Sequence, residues 1–453
     1  MAYKLSIERY GKMNNVELEV LPLTLFVGDN NSGKSYLLSL IWAILSGEQN
    51  EIITSGLHEI LKDNYSALYL QVLNLVKSKD SNIFTEKIVI DEAELEKIIN
   101  DLFAQNKDAL VKSIFNFEGM SIGKIAISIT NKRKITIQRA NTNGVRQEIR
   151  AYWDSEKSGK RIVYADKSAV YMNAVDAVFR AIISYILCSS NEHNTCYLPA
   201  ARTGFMLAKN TINEFGRKKA FDFLDVDIEE IEDTSPFPKT IIHFLNCIDN
   251  INTSQKREKY ANLVEWITLN MSKGDVDCLE SNSGNVAYTP IGENLNIPLR
   301  ATSGVVTELT PLILLLKYRK ELRSLCYEEP EMCLHPQLQL QMARLLIRMV
   351  NAGISIAATT HSDIIIQHIN NMCELNKLAE NEEALKKLDL SKEDLIDSKS
   401  VAVYQLADRG ASTEVERILP KNGKFEVSSF MRALEKILYQ TMDIADIVES
   451  GDT

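Results

Sequence analysis

The string Gly28-Asp-Asn-Asn-Ser-Gly-Lys-Ser35 stands between a short apolar run, Thr24–Val27, and an apolar segment, Tyr36–Leu45. The run before it is rich in strand formers, and the segment after it reads as a helix. GxxxxGK[ST] between a strand and a helix is the pattern of a phosphate loop. Gly28 and Gly33 let the backbone wrap an anion where a Cβ would clash. The amides from Asp29, Asn30, Asn31 and Ser32 through the helix start at Tyr36 then face the phosphate oxygens. Lys34 is expected to reach the β- and γ-phosphates, and the Ser35 hydroxyl to hold Mg²⁺. A glycine-bearing turn before a helix is the alternative, and the full motif in its context weighs against it.

At 453 residues the chain has room for two or three domain-sized units. Its 45% hydrophobic and 25% charged content is that of a soluble globular protein with a large core. The net charge of −10 argues against a surface that is basic overall, while leaving room for local basic patches. The seven cysteines (188, 196, 247, 278, 326, 333 and 373) form no CxxC pair. Their odd number predicts reduced thiols and a cytoplasmic location rather than a disulfide frame or a zinc site. Charges in MAYKLSIERYGK speak against a signal peptide, and no apolar run is long enough for a membrane span. The best candidate for a span, Ala169–Cys188, carries Asp176 and Arg180 and reads as a buried helix.

The periodicity predicts an α/β chain. Residues 1–56 read as three strands, the phosphate loop and its helix. Residues 57–117 show helical spacing and read as a helical insertion. Residues 118–204 return to strands (KIAISI, KITIQR, EIRAYW, RIVYAD) with turn residues Asn131, Asn141 and Gly144, an antiparallel β layer closing on Cys196-Tyr-Leu-Pro-Ala-Ala-Arg-Thr-Gly204. Residues 205–300 read as a helical lobe, 301–376 as a further part of the same α/β head, 377–397 as a polar helical insertion, and 398–453 as closing strands and a helix.

Four further features bear on chemistry. Leu325-Cys-Tyr-Glu-Glu-Pro-Glu331 is an apolar strand that delivers adjacent carboxylates. Phosphoryl transfer needs one acid near Mg²⁺ and another to polarise the attacking water. Glu328 is assigned to the metal and Glu329 to the water; a solvated acidic turn is the plainer reading of the string alone. His361, at the tip of the next apolar strand, could hydrogen-bond the γ-phosphate or that water. Ser303-Gly304 precedes a helix and offers amides and a helix N-terminus to an anion. Arg202 follows a strand and a proline, where a cation could feel the nucleotide.

The order of these segments resembles an ABC-type ATPase head. GDNNSGKS, YLPAARTG, ATSGVVTE, YEEPEMCLHP and TTHS are similar to segments of the ABC-like ATPases that include the overcoming-lysogenization-defect proteins and the RecF and structural-maintenance-of-chromosomes relatives. Two departures are visible: the signature lacks LSGGQ, and Glu328 stands where the family's metal-side residue is Asp. The resemblance implies an ABC-type P-loop head with a mixed sheet, an antiparallel β layer and helical insertions, Mg²⁺-dependent ATP hydrolysis, and a homodimer or higher oligomer formed around ATP. It further implies that Ser303 and Gly304 act in trans on the partner's γ-phosphate, that Arg202 takes the place of the family's Q-loop glutamine, and that Leu334-His335 crosses the dimer interface.

The resemblance extends to function. The chain looks like the ATPase subunit of a two-part anti-phage system such as Septu or PARIS, because no long heptad arms and no fused Toprim nuclease are legible in it. The partner expected is then a separate effector, a nuclease or toxin, with no membrane. A DNA-repair or chromosome-type ATPase that binds DNA across a head dimer is the alternative. Its candidate basic clusters are Lys132-Arg133-Lys134 with Arg139, and Arg217-Lys218-Lys219, which are more simply solvated faces. An ABC transporter ATPase subunit is a third reading, disfavoured by the degenerate signature and the insertion.

Overall fold

A computed structural model describes residues 3–77, 87–130, 133–140, 146–153, 160–165, 171–188, 194–222, 236–253, 256, 258–279, 286–421 and 423–451. The chain divides into two compact units, Met1–Val20 with Ser39–Thr195, and Leu21–Leu38 with Cys196–Thr453. The expected α/β class, with a mixed sheet, antiparallel strands and helical insertions, is the one observed.

In the first unit, Tyr3–Tyr10 pairs antiparallel with Met13–Glu19 on one side and Ile122–Ile129 on the other, with Leu5 opposite both Leu18 and Ile127. Tyr3, Leu5 and Ile7 are buried while Lys4 and Glu8 are not, the period-2 alternation of a half-buried sheet. A separate antiparallel sheet has the order Lys87–Asp91, Lys134–Ala140, Arg146–Trp153, Lys160–Ala165. The β layer expected over 118–204 is therefore two sheets. The insertion over 57–117 is also not wholly helical: KIVID at Lys87–Asp91 is a strand, because its β-branched residues pair with the Lys134–Ala140 strand. Helices Leu57–Asn64, Ser66–Lys77 and Glu92–Phe115 make up most of the rest, the last capped by Asp91, which accepts from the Ala93 amide at 2.9 Å.

Some expectations fall on undescribed residues. Asn131, Asn141, Gly144 and Lys132 lie outside the described residues, as do the side chains of Arg217, Lys218 and Lys219. Arg133 is committed internally, 3.3 Å from the buried Glu92 carboxylate.

The second unit holds the motifs. Its sheet runs Thr413–Ile418, Val401–Asp408, Leu23–Gly28, Ser355–Thr359, Ser324–Glu328, Thr195–Leu198. The Val401–Asp408, Leu23–Gly28, Ser355–Thr359 and Ser324–Glu328 strands are parallel, and Thr413–Ile418 is antiparallel to its neighbour. Every residue of Leu23–Gly28 is buried, as expected of a parallel strand covered on both faces. Register sets Tyr404, Phe26, Thr359 and Glu328 in one row across four strands. The loops that leave this row lie at the carboxyl ends of parallel strands, where open α/β sheets bind ligands.

Helices Gly304–Tyr318, Pro336–Asn351 and Asp363–Leu375 contribute Leu312, Leu345, Ile366 and their neighbours to the core that includes Leu25 and Ile356. The 377–397 segment is less helical than its composition predicts. It forms one short helix, Glu382–Lys387, and 3₁₀ turns. It is anchored because Asp394, fully buried, accepts from Arg344 Nε at 3.1 Å and Arg348 Nε at 2.6 Å. The two guanidiniums hold that carboxyl well below the usual range, to about 2, against the opposing effect of burial. The closing helix is Ser428–Gly451. No helix among the described residues is long and apolar enough to cross a membrane.

Candidate nucleotide site

The phosphate loop leaves its strand through Gly28, whose φ of 131° favours glycine and whose Cβ, if present, would lie 2.0 Å from the Leu406 carbonyl oxygen. This close approach comes from the parallel pairing of Gly28 with Leu406. The Asp29 amide donates to that same carbonyl at 3.2 Å, and the Asp29 carboxylate accepts from the Asp408 amide at 3.1 Å. Asn31 and Gly33 also have positive φ, 59° and 94°, which bends the backbone into a concave loop ahead of helix Lys34–Leu45.

Lys34 is buried, and its ammonium donates to the carbonyls of Gly28 at 3.1 Å and Asp29 at 2.6 Å. Burial lowers its pKa; the charges of Glu329, Asp29 and Glu331 act the other way. The Ser32 hydroxyl is buried without a hydrogen-bond partner, an unmet polar atom inside the loop. Ser35 and Tyr36, like Asp29, Asn30 and Asn31, are exposed. A wrapped loop that admits no Cβ at its first glycine, an orphan hydroxyl and an accessible Ser35 fit a bound polyphosphate and its divalent cation.

Glu328 ends the strand on the far side of Ser355–Thr359 from Leu23–Gly28, Glu329 follows it, and the two face different partners. Glu328 Oε2 accepts from the Ala200 amide at 3.0 Å. Glu329 has a left-handed φ of 41°, a strained state for a glutamate. Its backbone is held from both sides: its amide donates to Thr359 O at 3.0 Å, and its carbonyl accepts from Arg202 at 3.0 Å. The strain turns its side chain toward His361, with Oε1 3.7 Å from Nε2. Burial, and then the Lys34 charge, lower the His361 pKa, while Glu329 acts to raise it. Lys34, Glu329 and His361 thus feel one another at the mouth of the loop.

Arg202 has a different place from the one expected of a nucleotide-facing cation. It is fully buried, its guanidinium donating to the carbonyls of Pro199 at 2.7 Å, Glu328 at 2.6 Å and Glu329 at 3.0 Å. Its Nε lies 2.8 Å from the buried Glu308 carboxylate, and the guanidinium sits 4.8 Å above the Tyr327 ring. Arg202 is a brace for the two acids. Ser303 caps helix Gly304–Tyr318 by accepting from the Val306 amide at 3.5 Å, and both Ser303 and Gly304 are exposed. The Cβ position of Gly304 faces Cys333 at 3.8 Å. His335 is exposed, whereas Leu334 is packed into the core.

Two residues of the site carry roles that the sequence motifs did not assign. Glu331 Oε1 accepts from the His361 amide at 2.6 Å, and its Oε2 is buried without a partner. Burial raises its pKa. Glu308 holds both Arg202 and the Thr203 amide, the latter at 3.1 Å.

A family profile described as an AAA ATPase domain matches residues 1–366. Among solved structures, this chain is similar to an Smc head bound to the C-winged helix domain of ScpA, at 10% identity and a TM-score of 0.35, covering 92% of this chain and 98% of that one. It is similar to a Pyrococcus furiosus Smc head domain with an extended coiled coil bound to the C-terminal domain of ScpA, at 12% identity and a TM-score of 0.35, over 96% and 98% of the two chains. It is also similar to an SMC head domain from Thermotoga maritima, at 9% identity and a TM-score of 0.33, over 93% and 100%. No curated protein matches the sequence.

Proposed function

Since the chain belongs to the AAA ATPase domain family and is an ATP-binding ATPase, we propose that it is the ATP-driven switch of a two-part anti-phage system, closing on a second copy around ATP and controlling a separate nuclease or toxin. The observation that carries the hydrolytic part is the convergence of Lys34, Glu329 and His361 at the carboxyl end of the parallel sheet.

In this reading the loop amides and Lys34 bind the β- and γ-phosphates. Ser35 and Glu328 would hold Mg²⁺, which supplies charge neutralisation on the phosphate oxygens. Glu329 accepts the proton of the attacking water. His361, whose pKa is lowered chiefly by burial, has a ring nitrogen for the water or the γ-phosphate. Arg202 fixes where the two carboxylates stand. Ser303 and Gly304, an exposed helix N-terminus, would meet the nucleotide of the second copy.

The insertion over 57–117 is the proposed face for the effector. It carries exposed Leu70 and Phe117 and the exposed strand residue Val89, and none of the nucleotide motifs. The anchoring of 377–397 by Asp394 supports assigning that segment to the head.

The test is co-expression of the chain with the products of its adjacent genes, followed by cross-linking mass spectrometry with and without ATP. A nuclease or toxin captured on 57–117 supports the proposal. Cross-links confined to the phosphate-loop face would contradict the assignment of 57–117. ATPase stimulation by duplex DNA with no second protein bound would favour the DNA-repair alternative.

A further inference from the structure

The fold collects three soft donors that lie far apart in the chain. Cys196 is on strand Thr195–Leu198. His243 and Cys247 are one turn apart on helix Lys239–Asp249, so their side chains leave the same face. Cys196 Sγ lies 3.8 Å from Cys247 Sγ, and Cys247 Sγ lies 3.2 Å from His243 Nε2. All three ligand atoms are within 4.8 Å of one another. Cys196 and His243 are buried and Cys247 is half-buried.

These separations can be set against metal geometry. Zinc binds thiolate sulfur at about 2.3 Å and imidazole nitrogen at about 2.0–2.1 Å in tetrahedral array, which puts two sulfurs about 3.8 Å apart and a sulfur and a nitrogen about 3.5 Å apart. The observed sulfur pair matches the first edge, and the sulfur–nitrogen pair is within a few tenths of an ångström of the second. A disulfide would need the sulfurs at about 2.05 Å. It would also leave unexplained why an imidazole nitrogen is aimed at the same point.

We propose that Cys196, His243 and Cys247 form a zinc site, with the fourth position open to water or an exogenous donor. Two thiolates and an imidazole are a donor set that suits zinc among the abundant divalent metals. The charge arrangement agrees: Arg319 Nη1 donates to Cys247 Sγ at 3.2 Å, so a positive group already faces a sulfur that must be a thiolate to bind.

The location gives the site a use. Cys196 stands three residues before Pro199, whose carbonyl takes the Arg202 guanidinium, and four before Ala200, whose amide holds Glu328. A metal joining Cys196 to helix Lys239–Asp249 would fix the segment that positions both acids. It is a positioning site, separate from the nucleotide and from Mg²⁺.

The test is metal content by plasma mass spectrometry on the full chain, purified in reductant without chelator, together with Co²⁺ titration after chelation. One zinc per chain is expected, unchanged in Lys34→Ala and at least tenfold lower in Cys196→Ser and Cys247→Ser. The chelated wild-type chain should take up one Co²⁺ with a thiolate-to-cobalt charge-transfer band, a readout that needs no variant to fold. Absence of both zinc and the cobalt band overturns the proposal. So does wild-type zinc in the Cys196→Ser/Cys247→Ser double variant.

Discussion

Glu329 Oε1 and His361 Nε2 stand 3.7 Å apart across the ends of two parallel strands, beside the lysine of the phosphate loop. The imidazole pKa is pushed below its ordinary 6.5 chiefly by burial and secondly by Lys34, so folding favours the neutral ring. A depressed folded-state value contributes stability that is full above pH 6.5 and is lost as pH falls through the folded value. Thermal midpoint and ATPase rate should both be flat above neutrality and decline on the acid side. His361→Gln should remove His361's share of the acid-side fall in midpoint; an unchanged pH profile of the midpoint would contradict this placement.

Glu331 has the opposite sign. Burial raises its carboxyl above the ordinary 4.5, so its contribution is present at acid pH and lost as pH rises through the folded value. Glu331→Gln keeps an acceptor for the His361 amide and carries no charge. It should raise the thermal midpoint at pH 8 relative to wild type and leave the pH 5 value nearly unchanged. A midpoint lower than wild type at pH 8 would show that the ionised carboxylate is the stabilising form.

Arg202→Ala strips the partner from a buried Glu308 and frees the carbonyls of Glu328 and Glu329. Removing one member of a buried pair costs about 3–5 kcal/mol, read by chemical denaturation. Arg202→Lys keeps the charge but not the planar fork that serves several carbonyls at once, so it should recover stability better than ATPase rate. Equal recovery of both would argue that Arg202 is a structural ion pair alone.

Gly28→Ala places a methyl group 2.0 Å from the Leu406 carbonyl at a φ of 131°. The backbone must move, and strain alone costs about 1–3 kcal/mol. ATP affinity, measured by calorimetry, should fall sharply. Gly353→Ala, where a Cβ meets nothing within 4 Å although φ is also positive, serves as the comparison and should leave ATP affinity unchanged.

The parts of this site that could be read in the sequence are those whose chemistry is contiguous. Gly28–Ser35 carries its own strand, turn and helix, and the strand tipped by Glu328 and Glu329 carries its own acids. The function of Arg202 was hidden because its partners at Glu328 and Glu329 lie 126 and 127 residues away and are backbone atoms, which composition does not mark. Glu331 reads as one acid among three until burial separates it from the others. The strand Lys87–Asp91 is five residues inside a helical stretch and owes its form to a neighbour at Lys134–Ala140. Cys196 and Cys247, 51 residues apart, give no metal-binding spacing; only the sheet and helix that carry them put the sulfurs together.

Glu329 is the residue proposed to activate the attacking water. The direct measurement is steady-state ATPase of Glu329→Gln beside the mass of the particle with and without ATP. Glutamine keeps the shape and the polar contacts while removing the proposed base, and Lys34, Ser35 and Glu328, the proposed holders of ATP and Mg²⁺, are untouched. Hydrolysis should fall by roughly 10²–10⁴, the usual share of a positioned acid or base, with ATP still bound and the ATP-dependent assembly accumulating. Wild-type hydrolysis by Glu329→Gln would show that Glu329 is not the base.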